Sequence, residues 1–64
     1  MRVNTMTQEQ KVAALRRKLV RVRAERDAWT LGYSATGNEA HLRTATAYGN
    51  AVRVLKAKIA RLSH

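Results

Sequence analysis

In the second half of the chain the apolar residues fall at Ala45, Tyr48, Val52, Leu55, Ile59 and Leu62. Steps alternating between three and four residues define one face of an α-helix, and no strand reproduces them. A helix with such a stripe is marginal in water by itself, because its stability comes from covering that stripe. The first half supplies a matching element. Val12, Leu15, Leu19, Val22 and Trp29 recur at helical spacing, and Arg26 takes the one polar slot in their seam. Thr7 with Gln10 three residues on forms a capping box, and Glu9 sits in the first turn where the helix dipole favours a carboxylate. Gly32 offers a C-terminal stop.

These signals predict an all-α, antiparallel two-helix hairpin occupying residues 7–64, with helices over 7–31 and 39–62 joined by a loop over 32–38. Residues 1–6 carry no period and are read as a flexible N-terminus. Thr36 with Glu39, or Asn38 alone, can cap the second helix. The pairing of seams sets Val12 against Leu62 at the open end, Leu19 against Leu55 in the middle, and Trp29 near Ala45 and Tyr48. A competing arrangement pairs 31–35 with 40–44 as a short β-hairpin about Gly37-Asn38, with Thr46 capping a shorter helix. It arises because Thr44, Thr46, Gly49 and Asn50 are poor helix formers.

Two helices make a thin core, and 64 residues bury little. Further apolar residues lie off the seams: Ala13, Val20, Ala24 and Leu31 on the first helix, Ala40, Ala47, Ala51 and Val54 on the second. A helix apolar on two sides normally meets two neighbours. Val20, Ala24, Leu31, Ala47, Ala51 and Val54 are therefore interface candidates, with the hairpin expected in an oligomer or larger assembly of protein chains.

The charge is lopsided. Thirteen Lys and Arg against four Asp and Glu give +9. In residues 1–23 and 51–64, eleven cations face Glu9 alone; residues 24–50 hold Arg26 and Arg43 against Glu25, Asp27 and Glu39. The cations thus crowd the open end, with Arg17 and Arg21 level with Lys56 and Arg53. Only i,i+4 pairs such as Arg21–Glu25 and Arg23–Asp27 offset the repulsion. A nucleic-acid backbone is the fitting counter-charge, contacted by Arg16, Arg17, Lys18, Arg21, Arg23, Arg53, Lys56, Lys58 and Arg61. No docking motif or stacking platform points to base-specific reading. A membrane partner is not expected, since the apolar seams are consumed by helix packing.

Chemistry has little to work with. His41 and His64 form no metal pair, the four carboxylates form no acid–base pair, and Ser34 has no discernible triad. Gly32 and Gly37 lack phosphate-loop fingerprints. Arg26 either snorkels or pairs with Glu25 or Asp27 of a neighbour. No enzyme activity, cofactor, metal or small-molecule substrate is expected. With no cysteine, disulfides are excluded and nothing points to an oxidising compartment. Neither a transmembrane span nor a signal peptide is expected.

The run Met6 to Leu19, with Thr44-Ala45-Thr46 and Ile59-Ala60-Arg61-Leu62, resembles the gpW-type head-completion proteins of tailed bacteriophages. That resemblance implies a small basic virion protein at the head–tail junction, ringed around packaged DNA, with a β-hairpin between its helices. Ala35-Thr36-Gly37 and Ile59-Ala60-Arg61 also resemble the two-helix hairpin protein of the large ribosomal subunit. The functional expectation is a phage structural protein in the virion or host cytoplasm. The alternative is a free-standing nucleic-acid-binding hairpin, either a dimeric four-helix-bundle regulator or a ribosome-associated RNA binder.

Overall fold

The computed structural model describes residues 7–63; the N-terminal segment 1–6 and His64 lie outside the described residues. Two helices, α1 (Gln8–Thr36) and α2 (Glu39–Leu62), pack against each other as an antiparallel hairpin. Its principal extents are 52 × 26 × 13 Å.

The start of α1 is fixed by a reciprocal cap. The Gln10 amide N–H donates to the Thr7 hydroxyl at 3.1 Å, and the Thr7 N–H donates to the Gln10 side-chain oxygen at 2.9 Å. Both would otherwise be orphan donors of the first turn. At the other end α1 outruns its expected stop. It continues through Gly32 to Thr36, so the loop expected over 32–38 shrinks to Gly37-Asn38. The glycine that ends α1 is Gly37, whose φ of 69° is left-handed and whose N–H donates to the Tyr33 carbonyl at 2.7 Å. Gly32 serves a different purpose. A Cβ there would meet His41 Nδ1 at 3.2 Å, so the missing side chain lets the His41 ring close onto α1. His41 also stacks at a tilt on Trp29, with ring centroids 5.2 Å apart.

Asn38 caps α2 by itself, its side-chain oxygen accepting from the Ala40 N–H at 2.9 Å. The Thr36 hydroxyl ties both sides of the bend, donating to the Gly32 carbonyl and accepting from the Asn38 N–H. Residues 31–35 and 40–44 are helical, so the alternative β-hairpin about Gly37-Asn38 does not form, nor does the strand pair implied by the head-completion resemblance. Thr44 and Thr46 are accommodated within α2 by donating their hydroxyls to the carbonyls of Ala40 and Leu42, so Thr46 is no cap.

The core follows the stripe of α2. Ala45, Val52 and Leu55 are 5–6% exposed, while Tyr48, Ile59 and Leu62 are half-buried. On α1 the seam residues Val12, Leu15, Leu19, Val22 and Trp29 are all half-buried and none is fully covered. The difference has a plain cause: α2 is strongly amphipathic, whereas the apolar side chains of α1 are spread around its circumference. The Gln8 side-chain amide donates to the Leu62 carbonyl and closes the open end.

Two glycines give opposite expectations. Gly37→Ala forces a Cβ into the left-handed region and should lower stability by ~1 kcal/mol. Gly49 lies inside α2 with only the Arg26 Cδ near its would-be Cβ, at an ordinary 3.8 Å. Gly49→Ala should therefore raise stability by ~0.5–1 kcal/mol. Thermal melting followed by far-UV circular dichroism should move in opposite directions for the two variants; a shared sign would mean that the turn or the Gly49 environment is misassigned.

Candidate nucleic-acid interface

All nine cations assigned to phosphate contact are exposed, five on α1 and four on α2 from Arg53 onward. The antiparallel fold returns the C-terminal part of α2 beside the N-terminal part of α1, so sequence halves rich in cations become one end of the molecule.

Three depressions run along the seam between the helices. The one at the open end is lined by Gln8, Val12, Ala13, Arg16, Arg17 and Leu62, among others. Next to it Arg16, Leu19, Val20, Lys56, Ile59 and Ala60 enclose a second. The third, towards the bend, includes Arg26, Thr30, Leu42, Ala45, Gly49 and Arg53. On α1 the walls recur at Arg16, Leu19, Arg26 and Thr30, and on α2 at Leu42, Thr46, Gly49, Arg53, Lys56, Ala60 and Ser63. Those steps of three, four and seven keep the set on one side of each helix. The depressions thus follow one another along one side of the hairpin as a shallow, interrupted groove with apolar or small residues at its floor and cations at its rims.

Arg16, Arg53 and Lys56 stand on those rims, and helical spacing adds Arg23, seven residues from Arg16. The groove brings Arg16 opposite Lys56; Arg17, expected level with Lys56, lies instead at the edge of the open-end depression. Lys18 and Lys58 project about 150° away around their helices, on the opposite side of the hairpin. The cations therefore surround the open half, with one subset aligned along the groove.

Their counter-charges are few. The ion pair found among the described residues joins Arg26 to Asp27 at 3.1 Å, near the bend. Arg26 thus binds the carboxylate of the adjacent residue in its own chain. Neither Arg21–Glu25 nor Arg23–Asp27 closes into the expected i,i+4 pair. Arg53 is steadied by a 3.1 Å hydrogen bond to the Asn50 side-chain oxygen, which fixes its direction without neutralising it. What the arrangement can do chemically is hold an anionic polymer by guanidinium and ammonium contacts to its phosphates.

The interface candidates divide. Val20, Leu31 and Val54 are 68, 71 and 54% exposed, and Ala24 and Ala47 are also exposed, whereas Ala51 is half-covered by the hairpin itself. Leu42, 42% exposed, joins them; its place beside the groove was missed because it falls on neither apolar stripe of the sequence. Among the described residues no helix is long and apolar enough to cross a membrane. The chain matches no protein-family model, no curated protein and no solved structure.

Proposed function

We propose that this chain is a small basic structural protein that lies against nucleic-acid phosphates with the open half of its hairpin, within an assembly of protein chains. One observation carries the reading: Arg16, Arg53 and Lys56 rim depressions on one side of a half-molecule whose described cations have no carboxylate partner among the described residues. Leaving such cations without a partner is unfavourable through self-repulsion, and a phosphate backbone relieves it while releasing counterions. The groove floor offers no side-chain set for reading base edges, so contact is to backbone and independent of sequence.

Two settings fit. The resemblance of Met6–Leu19 to head-completion proteins favours a phage virion, with the hairpin near packaged DNA at the head–tail junction. The direct Gly37-Asn38 bend, with Ala35-Thr36-Gly37 ending α1 in a left-handed cap, favours the plan of the ribosomal two-helix hairpin protein and hence RNA. Co-sedimentation with ribosomes supports the second setting; incorporation into phage particles supports the first.

The shared claim is tested by fluorescence anisotropy with duplex DNA and RNA hairpins of unrelated sequence across a salt series. If the four groove-side cations each neutralise one phosphate, the logarithm of affinity falls with the logarithm of salt at a slope of about −3.6. From 50 to 200 mM salt that is a loss of roughly 100-fold. Affinity that is flat with salt, or that changes strongly with base sequence, rules the reading out.

A further inference from the structure

The exposed apolar residues of α1 form a second seam of their own. Ala13, Arg17, Val20, Ala24, Asp27 and Leu31 follow one another at steps of four, three, four, three and four. They form the a/d stripe of a coiled coil, lying about 150° around α1 from the face that meets α2. Val20 and Leu31 are 68 and 71% exposed there, so the hairpin leaves this seam bare.

The stripe is self-complementary in one orientation. About Val22 its members sit in pairs, two residues away (Val20 and Ala24), five away (Arg17 and Asp27) and nine away (Ala13 and Leu31). In an antiparallel helix pair related by a two-fold axis at that level, each a position faces a d position of the other copy. Each layer then sets a large residue against a small one, or a cation against an anion. Leu31 covers the partner's Ala13, Val20 covers the partner's Ala24, and Arg17 meets the partner's Asp27, every contact occurring twice. A parallel pairing instead sets Arg17 against the partner's Arg17, Asp27 against the partner's Asp27 and Leu31 against the partner's Leu31, stacking like charges and bulk on bulk.

We infer that the chain self-associates through α1 as an antiparallel two-fold dimer centred at Val22, giving a four-helix arrangement with both α2 helices on the outside. Asp27 already accepts from Arg26, but a carboxylate has lone pairs to accept from a second guanidinium. The α2 stripe of Ala47, Ala51 and Val54 offers no such match, because the charged residue continuing it is Lys58 and no acid lies along it. One cost is visible. Arg21 and Arg23 border the α1 seam on either edge, and near the axis each faces its own copy. These pairs are exposed, and screening over a Debye length of ~8 Å at physiological salt weakens their repulsion. Self-association should therefore persist in salt that releases nucleic acid. The inference moves Arg17 from phosphate contact to the dimer seam, and with it Ala13 and Val20 of the two open-end depressions, so the dimer borders the groove along α1.

The test uses the absence of native cysteine. Ala13→Cys and Leu31→Cys chains are oxidised separately and as a mixture, without nucleic acid, at a salt concentration where phosphate binding is lost. The mixture should give a heterodisulfide, and each variant alone should give none above a Lys18→Cys control. Dimerisation of the Leu31→Cys chain alone would mean a parallel pairing and overturn the inference, as would absence of the mixed product. Charge exchange supplies an independent readout by sedimentation. Arg17→Asp or Asp27→Arg alone should weaken association severalfold and the double variant should restore it; no rescue, or a monomer at every concentration, overturns the inference. Neither result depends on nucleic-acid binding, so the salt-series reading stands or falls separately.

Discussion

Leu55→Ala is expected to cost ~2–5 kcal/mol and leave the hairpin largely unfolded at ambient temperature. Leu55 is one of three buried residues among those described, with Ala45 and Val52, and its side chain is the largest of these. A domain of this size has a total stability of ~3–10 kcal/mol, so a cavity at this point takes most or all of the margin. α1 cannot compensate, because none of its seam residues is fully covered and no second layer lies behind them. Val54→Ala, one residue along but 54% exposed, should stay within ~0.5 kcal/mol of the parent in the separated chain. Thermal melts of the two variants should differ plainly. If both melt with the parent, the α1–α2 seam is not what stabilises the molecule.

The second large effect is electrostatic. Reversing Arg16 and Lys56 together to glutamate should leave the helical signal intact, since both side chains are exposed and neither has a carboxylate partner among the described residues to lose. Nucleic-acid affinity should fall by roughly 100-fold, and the salt slope should flatten by about 2, one unit for each phosphate contact removed. Arg43→Glu, exposed in the near-neutral half, should change neither quantity appreciably. Comparable losses from Arg43→Glu would show that net charge, and not the groove, governs binding.

The contrast between the two helices explains what could be read in advance. The stripe from Ala45 to Leu62 is periodic enough that the covered face of α2 could be named from spacing alone, although spacing does not separate the buried Ala45, Val52 and Leu55 from the half-buried Tyr48, Ile59 and Leu62. The end of α1 could not. Gly32 and Gly37 are equivalent as local signals, and the choice between them rests on tertiary packing: the first turn of α2 brings His41 against α1 at Gly32, and that requires α1 to persist there. Sequence spacing likewise put the cations at the right end of the molecule but not on the right sides. Arg16 and Arg17 are adjacent in the chain, yet the helical turn between them sets Arg16 beside Lys56 and Arg17 at the edge of the open-end depression. In place of the expected Arg23–Asp27 pair, Asp27 engages its immediate neighbour Arg26.

The two-residue bend has a kinetic consequence. With Gly37 and Asn38 alone separating the helices, the first cross-helix contacts close a very short loop, and each later one closes a longer loop at a small added entropic cost. Assembly can then advance like a zip from the bend, and opening can begin at the far end, where Thr7 and Ser63 sit. The cations that would grip phosphate thus occupy the part of the molecule whose amides are least protected and whose ordering a polyanion would most increase.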